Sequence, residues 1–259
     1  MSYTVAVANE KGGVAKTTTA LSLGAALAER GEEVLLVDLD PQANLTLSLG
    51  IKPNDVSGGA SDLLLGDGTL ESVRQETRVP GLTLVPANSE LLMAERFLSV
   101  RQNYETLLGE RLNSSGEFNY VLLDCPPALG VTTHSALTAA DLLLIPTQAE
   151  FFSASALRDV IDLVRDIRAH SNPGLRYRLL LTMLDQRNRI HRTLYEQIRR
   201  TFGKAVLETV IEVDTRLRES PIFAKPITEY APDSRGAAQY RALAEELMAY
   251  AKEATRRPS

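Results

Sequence analysis

Cysteine is nearly absent from this chain of 259 residues. Cys125 stands alone, which excludes a disulfide framework and any multi-cysteine iron–sulfur or zinc site built within one chain. Long apolar runs are missing too: none approaches the ~20 residues that a membrane helix needs. No basic-then-apolar leader opens the sequence, which goes directly into a strand-type run. These absences lead to the expectation of a protein in the reducing cytoplasm. Positive charge is in deficit, with a net charge of −5, so nucleic-acid binding has no general support. Any such activity must rest on where the cations sit. What is present is ordinary for a globular protein: 44% hydrophobic and 24% charged residues. The length permits one large domain or two small ones.

The richest stretch is Glu10 to Thr18, reading Glu-Lys-Gly-Gly-Val-Ala-Lys-Thr-Thr. Before it runs Tyr3 to Ala8, apolar and β-branched, of strand type. After it, Thr19 to Arg30 has helical spacing of Leu21, Leu23, Ala25, Leu27 and Ala28, stopped by Gly31. Strand, glycine turn and helix are the setting of a phosphate-binding loop, where backbone N–H groups and the helix dipole converge on an anion. Lys16 is placed to reach β- and γ-phosphates, and the Thr17 hydroxyl to ligate Mg²⁺. The standard spacing G-x-x-x-x-G-K-[ST] is not met, because its glycines fall on Glu10 and Ala15. A second lysine, Lys11, opens the loop instead.

Two further strand signals end on carboxylates. Glu33 to Asp40 finishes with Asp38 and Asp40 before Pro41-Gln42, and alternate strand residues share a face. Tyr120 to Asp124 leads into Cys125-Pro126-Pro127, a Walker B pattern with Asp124 close to a metal's outer sphere. Parallel α/β sheets put their sites at such carboxyl ends. Other strands are expected at Leu82–Pro86, Ala140–Thr147, Arg178–Leu184 and Val206–Ile211. Helices are expected over Glu90–Leu112, broken at Ser114-Ser115-Gly116, over Ser153–Ala169, and at about 238–255. Residues 51 to 80 carry no assignable chemistry, and Ala60–Leu65 suggests a short helix. Thr182-Met183-Leu184-Asp185 lacks the lysine of a guanine-reading [NT]-K-x-D, which leans toward adenine.

The loop K-G-G-x-x-K-T-T resembles the deviant Walker A loop of the ParA/MinD ATPases. The step of 24 residues from Lys16 to Asp40, in Asp38-Leu39-Asp40-Pro41-Gln42, is similar to the ParA element D-x-D-P-Q. Asp124 to Gly130 looks more like ParA than MinD. Thr215 to Ala237 resembles the ParA tail R-L-x-E-A-P…G-K-P-I…Y-x-P-x-S-x-G-A, departing at Arg218-Glu219-Ser220 and at Ala224. Glu212-Val213-Asp214 also departs, standing where many relatives place Pro-Arg-Asn against the adenine. The resemblance implies one doubly wound α/β P-loop domain over 1–259, a mainly parallel sheet flanked by helices. It implies an Mg²⁺-dependent ATPase using ATP, with the phosphates held by Gly12, Gly13, Val14, Ala15, Lys16, Thr17 and Thr18. It also implies Mg²⁺ on Thr17 with its waters on Asp38 and Asp124, and Asp40 orienting the attacking water. Lys11 would reach the nucleotide of the other subunit in an ATP-sandwich homodimer. The family role is binding nucleoid DNA without sequence preference and release by a ParB-like activator, so that a chromosome, plasmid or other cargo is moved.

From Arg176 to Lys204 there are eight Arg/Lys against Asp185 and Glu196, a local +6 that leaves the remainder at −11. The run is expected to form a basic rim on one side. Together with the resemblance it nominates Arg187, Arg189, Arg192, Arg199, Arg200, Arg216, Arg218 and Lys225 for DNA. A MinD-like membrane-associated regulator is the rival reading. It needs a bulky, basic-flanked amphipathic C-terminus, for which Leu247 to Ser259 is too small and polar. A nitrogenase-reductase-like cluster carrier is excluded by the lone cysteine.

Overall fold

The computed structural model describes residues 2–66, 68–113, 116–150 and 153–256. Among them, eight strands make one sheet: β1 (Tyr3–Val7), β2 (Val34–Asp38), β3 (Gln75–Glu76), β4 (Leu82–Val85), β5 (Tyr120–Asp124), β6 (Leu142–Gln148), β7 (Arg176–Leu184) and β8 (Val206–Glu212). Their order is β3-β4-β2-β5-β1-β6-β7-β8, and every pair is parallel except β3 against β4. The sequence dictates this class directly. β1, β2 and β5 are apolar without alternation, and every residue in them is buried, as strands covered on both faces must be.

Helices cover both faces. One face carries α1 (Lys16–Ala28) and the long helix Arg235–Arg256, which packs on α1 through Tyr240, Leu243, Ala244 and Leu247. The other carries Ala60–Leu65, Leu91–Leu98, Tyr104–Leu112, Val131–Ala139 and Ser153–His170. α1 has almost no polar face because it lies between the sheet and another helix. Within it, Gly24 lets the helix sit directly on the sheet: a Cβ there would stand 2.8 Å from Leu36 Cδ2 and 3.2 Å from Leu82 Cδ1. Gly24→Leu is therefore expected to overpack this layer and cost about 1–3 kcal/mol, read as a lower urea midpoint.

Most expected elements are present, with informative differences. The segment Glu90–Leu112 is two helices, Leu91–Leu98 and Tyr104–Leu112, separated at Asn103, whose φ of 60° is left-handed. Asparagine tolerates that conformation, and it reverses a chain that periodicity alone reads as continuous. Of the expected break at 114–116, Ser114 and Ser115 lie outside the described residues. The helix Val131–Ala139, rich in threonine and alanine, has too little amphipathic pattern to be read. The last helix begins at Arg235, earlier than expected. β2 stops at Asp38, so Asp38 and Asp40 are not neighbours on one strand face.

Candidate nucleotide-phosphate site

β1 is the centre of the sheet, between β5 and β6, and the loop Ala8–Ala15 leaves its carboxyl end. Strand connections run away from β1 in both directions, so this loop opens into the crevice where α/β sheets take ligands. Its backbone turns left-handed at Gly13, with φ 73°, and at Ala15, with φ 67°. Ala15 stands where the standard loop has its second glycine, and the structure shows why glycine suits that place: a left-handed L-residue costs roughly 1–2 kcal/mol. α1 then starts at Lys16 with no side-chain cap on its N-terminus and no acid in its first turn. The first-turn N–H groups, four in any α-helix, remain open to an anion.

Lys16 is buried and folds back over the loop, its Nζ donating to Lys11 O at 3.2 Å. Burial lowers its pKa, while Asp124 and Asp40 oppose that shift. Asn9 braces the loop on both sides: its Nδ2 donates to Pro146 O at 2.8 Å and its Oδ1 accepts from Lys11 N at 3.0 Å. Gln148 Nε2 donates to Gly13 O at 3.0 Å. Lys11 itself lies in an ion pair with Glu150 and donates to Gln148 Oε1 at 3.3 Å. Asn9, Gln148 and Glu150 were not read from the sequence. The position of Gln148 as the last residue of β6, and of Glu150 just past it, is the signal that points to them.

The carboxylates converge by register. Asp38 of β2 pairs side by side with Asp124 of β5, and Asp124 is level with Val7, the last residue before the loop. Their environments differ. Asp38 accepts from Thr46 N at 2.8 Å, Thr46 Oγ1 at 2.7 Å and Asp40 N at 3.2 Å. Burial raises its pKa and these bonds restrain the rise. Among the described residues, neither oxygen of Asp124 finds a hydrogen-bond partner of sound geometry, although both are buried. Burial and then Asp38 push its pKa well up, against a pull from the nearby Thr17 hydroxyl and Lys16. Two buried, unpaired carboxylate oxygens beside a threonine hydroxyl are what a hydrated divalent cation fits. Asp40 is buried in the turn beyond β2, with its Oδ1 accepting from Gln42 N at 2.9 Å.

Beside Thr18 opens a narrow, mostly apolar cleft, walled by Ala15, Thr182, Met183, Ile211, Leu217 and Tyr240, with Glu212, Val213, Asp214 and Arg218 completing it. Met183 holds a left-handed backbone, φ 52°, at the end of β7. The cleft adjoins the phosphate loop through Ala15 and Thr18.

The expected basic rim is divided. β7 runs toward the loop end of the sheet and the helix Arg189–Phe202 runs back, about 20 Å over its 14 residues. Arg176 and Arg178 start β7 and lie over Tyr250, at 6.0 and 4.1 Å from its ring centre. Arg199 is bound to Glu208 at 2.6 Å and to Tyr195 Oη at 2.9 Å, while Arg200 is only 3.8 Å from Glu196. Arg187, Arg189 and Arg192 stay at the loop end, exposed, as do Arg216 and Arg218 in the helix Arg216–Glu219. The turns after β7 and β8 adjoin, so Arg187 and Arg235 line one cavity. Lys225 is exposed and follows the turn Ser220–Phe223, which packs on the helix Asn44–Ser48.

Comparison with known proteins agrees with this geometry. An AAA domain family matches residues 2–177. The sporulation initiation inhibitor protein Soj of Bacillus subtilis is 40% identical over 251 residues, covering 96% of this chain and 99% of that protein. The chromosome partitioning protein ParA of Caulobacter vibrioides is 38% identical over 248 residues, 94% of this chain and 93% of its own. The Mycobacterium smegmatis protein solved as cobyrinic acid a,c-diamide synthase with ADP and magnesium superposes with a TM-score of 0.86 at 36% identity, over 100% of this chain and 99% of its own. A full-length match to chromosome-partitioning relatives, on a mainly parallel sheet with a two-lysine phosphate loop, places this chain in the ParA/Soj family of deviant Walker A ATPases.

Proposed function

We propose that this protein is an Mg²⁺-dependent ATPase that dimerises around ATP, binds duplex DNA in that state, and is reset by a ParB-like activator. The observation that carries the reading is the side-by-side register of Asp38 and Asp124 against a lysine-ended loop whose helix N-terminus is uncapped. Amides of Gly12 to Ala15 with Lys16, Thr17 and Thr18 would take the phosphates. Thr17, with Asp38 and Asp124 on the surrounding waters, would hold Mg²⁺, which neutralises phosphate charge during transfer. Asp40 would orient the attacking water. Lys11 would leave Glu150 for the partner's nucleotide; an exposed pair of this kind is worth about 0–1 kcal/mol and opens readily. The apolar cleft beside Thr18 would receive adenine. Location in the cytoplasm on the nucleoid follows from the same reading.

Two rival chemistries find little support. A MinD-like membrane anchor needs a free apolar helix face, yet the apolar side of Arg235–Arg256 is packed on α1 and β8. No helix among the described residues is long and apolar enough to cross a membrane. Any activity run through a cysteine thiolate would need an ionisable cysteine. Cys125 is buried, and burial followed by Asp124 pushes its thiol far up.

The DNA arm rests on the exposed arginines at the loop end. A chain of net −5 repels DNA as a monomer, whereas a dimer presents two such sets together. Replacing Arg187, Arg189 and Arg192 with alanine is expected to leave ATP binding intact and to abolish the ATP-dependent mobility shift. In partial variants the slope of log affinity against log salt should shrink by roughly 0.9 for each phosphate no longer neutralised. Binding that ignores ATP, or survives the triple change, contradicts this assignment. Arg199, already bound by Glu208, should matter least.

A further inference from the structure

The strongest unassigned feature is on the helix Leu91–Leu98. Leu91, Ala94 and Leu98 bury one side of it. The opposite side is not polar: Leu92, Met93 and Phe97 are exposed, and Val100 continues the stripe just past the helix, 82% exposed. These are four of the nine large apolar side chains exposed among the described residues, gathered within nine positions. Apolar clusters of this kind mark interaction surfaces. The stripe carries its own charge pattern. Glu90 sits at the helix start and Arg96 among the apolar residues, both exposed and neither in an ion pair among the described residues. The two lie about 9 Å apart along the axis.

The helix is also fastened to the phosphate site at two points. Asp38 binds Thr46, whose Oγ1 accepts from Ala87 N at 2.9 Å, in the turn that leads into the helix. Glu95 Oε1 accepts from Thr132 Oγ1 at 2.8 Å, at the start of the helix that follows the Asp124–Gly130 loop. Hydrogen bonds therefore tie the stripe's helix to the elements that adjoin Asp38 and Asp124.

We propose that Leu92, Met93, Phe97 and Val100 form a self-association surface, docking antiparallel on the same stripe of a second copy of this chain when nucleotide is bound. An antiparallel two-fold arrangement sets Glu90 of each copy toward Arg96 of the other, a self-complementary pairing that a parallel one would not give. The inference rests on the nucleotide-driven dimer proposed above and names the contact that completes it.

Charge exchange tests it. Dimerisation of the full chain would be followed by sedimentation with Mg²⁺ and a non-hydrolysable ATP analogue. E90R alone and R96E alone should each weaken the dimer roughly tenfold, since each places like charges opposite one another. An equal mixture of the two variants should regain wild-type affinity, because the heterodimer restores both pairs. F97S should weaken the dimer while keeping its nucleotide affinity and melting temperature. Charge variants that dimerise like wild type, or a mixture no better than its components, overturn the proposal while leaving the ATP dimer standing. Variants that dimerise normally but lose stimulation by an added activator give the stripe to that partner and overturn it equally. A wild-type chain that binds the analogue and stays monomeric sinks the dimer itself.

Discussion

Lys16→Ala is expected to remove measurable ATP binding while leaving the protein folded. Lys16 is the buried cation of the loop, its ammonium folded back over it and close to both Asp124 and Asp40. A phosphate chain placed there without it meets a carboxylate cluster with only backbone N–H groups in opposition. A charge-assisted contact in such a site is worth about 1.5–3 kcal/mol, and leaving a partner charge unpaired adds to the loss. At 1.4 kcal/mol per decade, affinity should fall by roughly two orders of magnitude or more. Calorimetric titration with Mg-ATP reads this directly, and far-ultraviolet circular dichroism checks the fold. The fold should persist because Lys16 starts α1 without contributing to the apolar layer between α1 and the helix Arg235–Arg256. Affinity within a few-fold of wild type would move the phosphates elsewhere.

Asp40→Ala should separate binding from turnover. Asp40 stands in the turn after β2, beyond the register pair Asp38 and Asp124, and fixes that turn by accepting from Gln42 N. It is not part of the phosphate loop. Losing it removes a carboxylate able to orient or deprotonate water, an effect of about 10²–10⁴ in rate, and takes no donor from the phosphates. ATP affinity should remain within a few-fold of wild type, and phosphate release should fall at least a hundredfold. The ATP dimer should then accumulate, visible by size-exclusion chromatography. Turnover at the wild-type rate would transfer the role to Asp38, whose oxygens are already engaged by Thr46 and the Asp40 amide.

The parts of this site that were legible in the sequence are those encoded locally. Lys11, Lys16 and Thr17 are fixed relative to one another by a short turn between a strand and a helix. Asp124 announces itself as the last residue of an apolar strand, whereas the strand expected through Asp40 stops at Asp38, and parallel order brings Asp38 and Asp124 together. What could not be read depends on distant pairing. Glu150 meets Lys11, and Gln148 meets Gly13, only because β6 lies beside β1. Thr46 looks like any threonine until the chain folds it onto Asp38. The basic run shows the opposite error. Eight cations close in sequence suggested one patch, but a strand running up and a helix running down separate Arg176 and Arg178 from Arg187. The exposed stripe from Leu92 to Val100 was hidden for a similar reason, because an apolar residue on a helix reads as core until the buried side is known.

If nucleotide in this loop governs association, the mass of the particle must follow the nucleotide. The most direct test is light scattering of the wild-type chain at one fixed concentration, first with Mg-ADP and then with Mg²⁺ and a non-hydrolysable ATP analogue. The expected result is the monomer mass with ADP and twice that mass with the analogue, reverting to the monomer for Lys16→Ala. A mass that is the same with both nucleotides, while both are shown to bind, would contradict nucleotide control of the dimer.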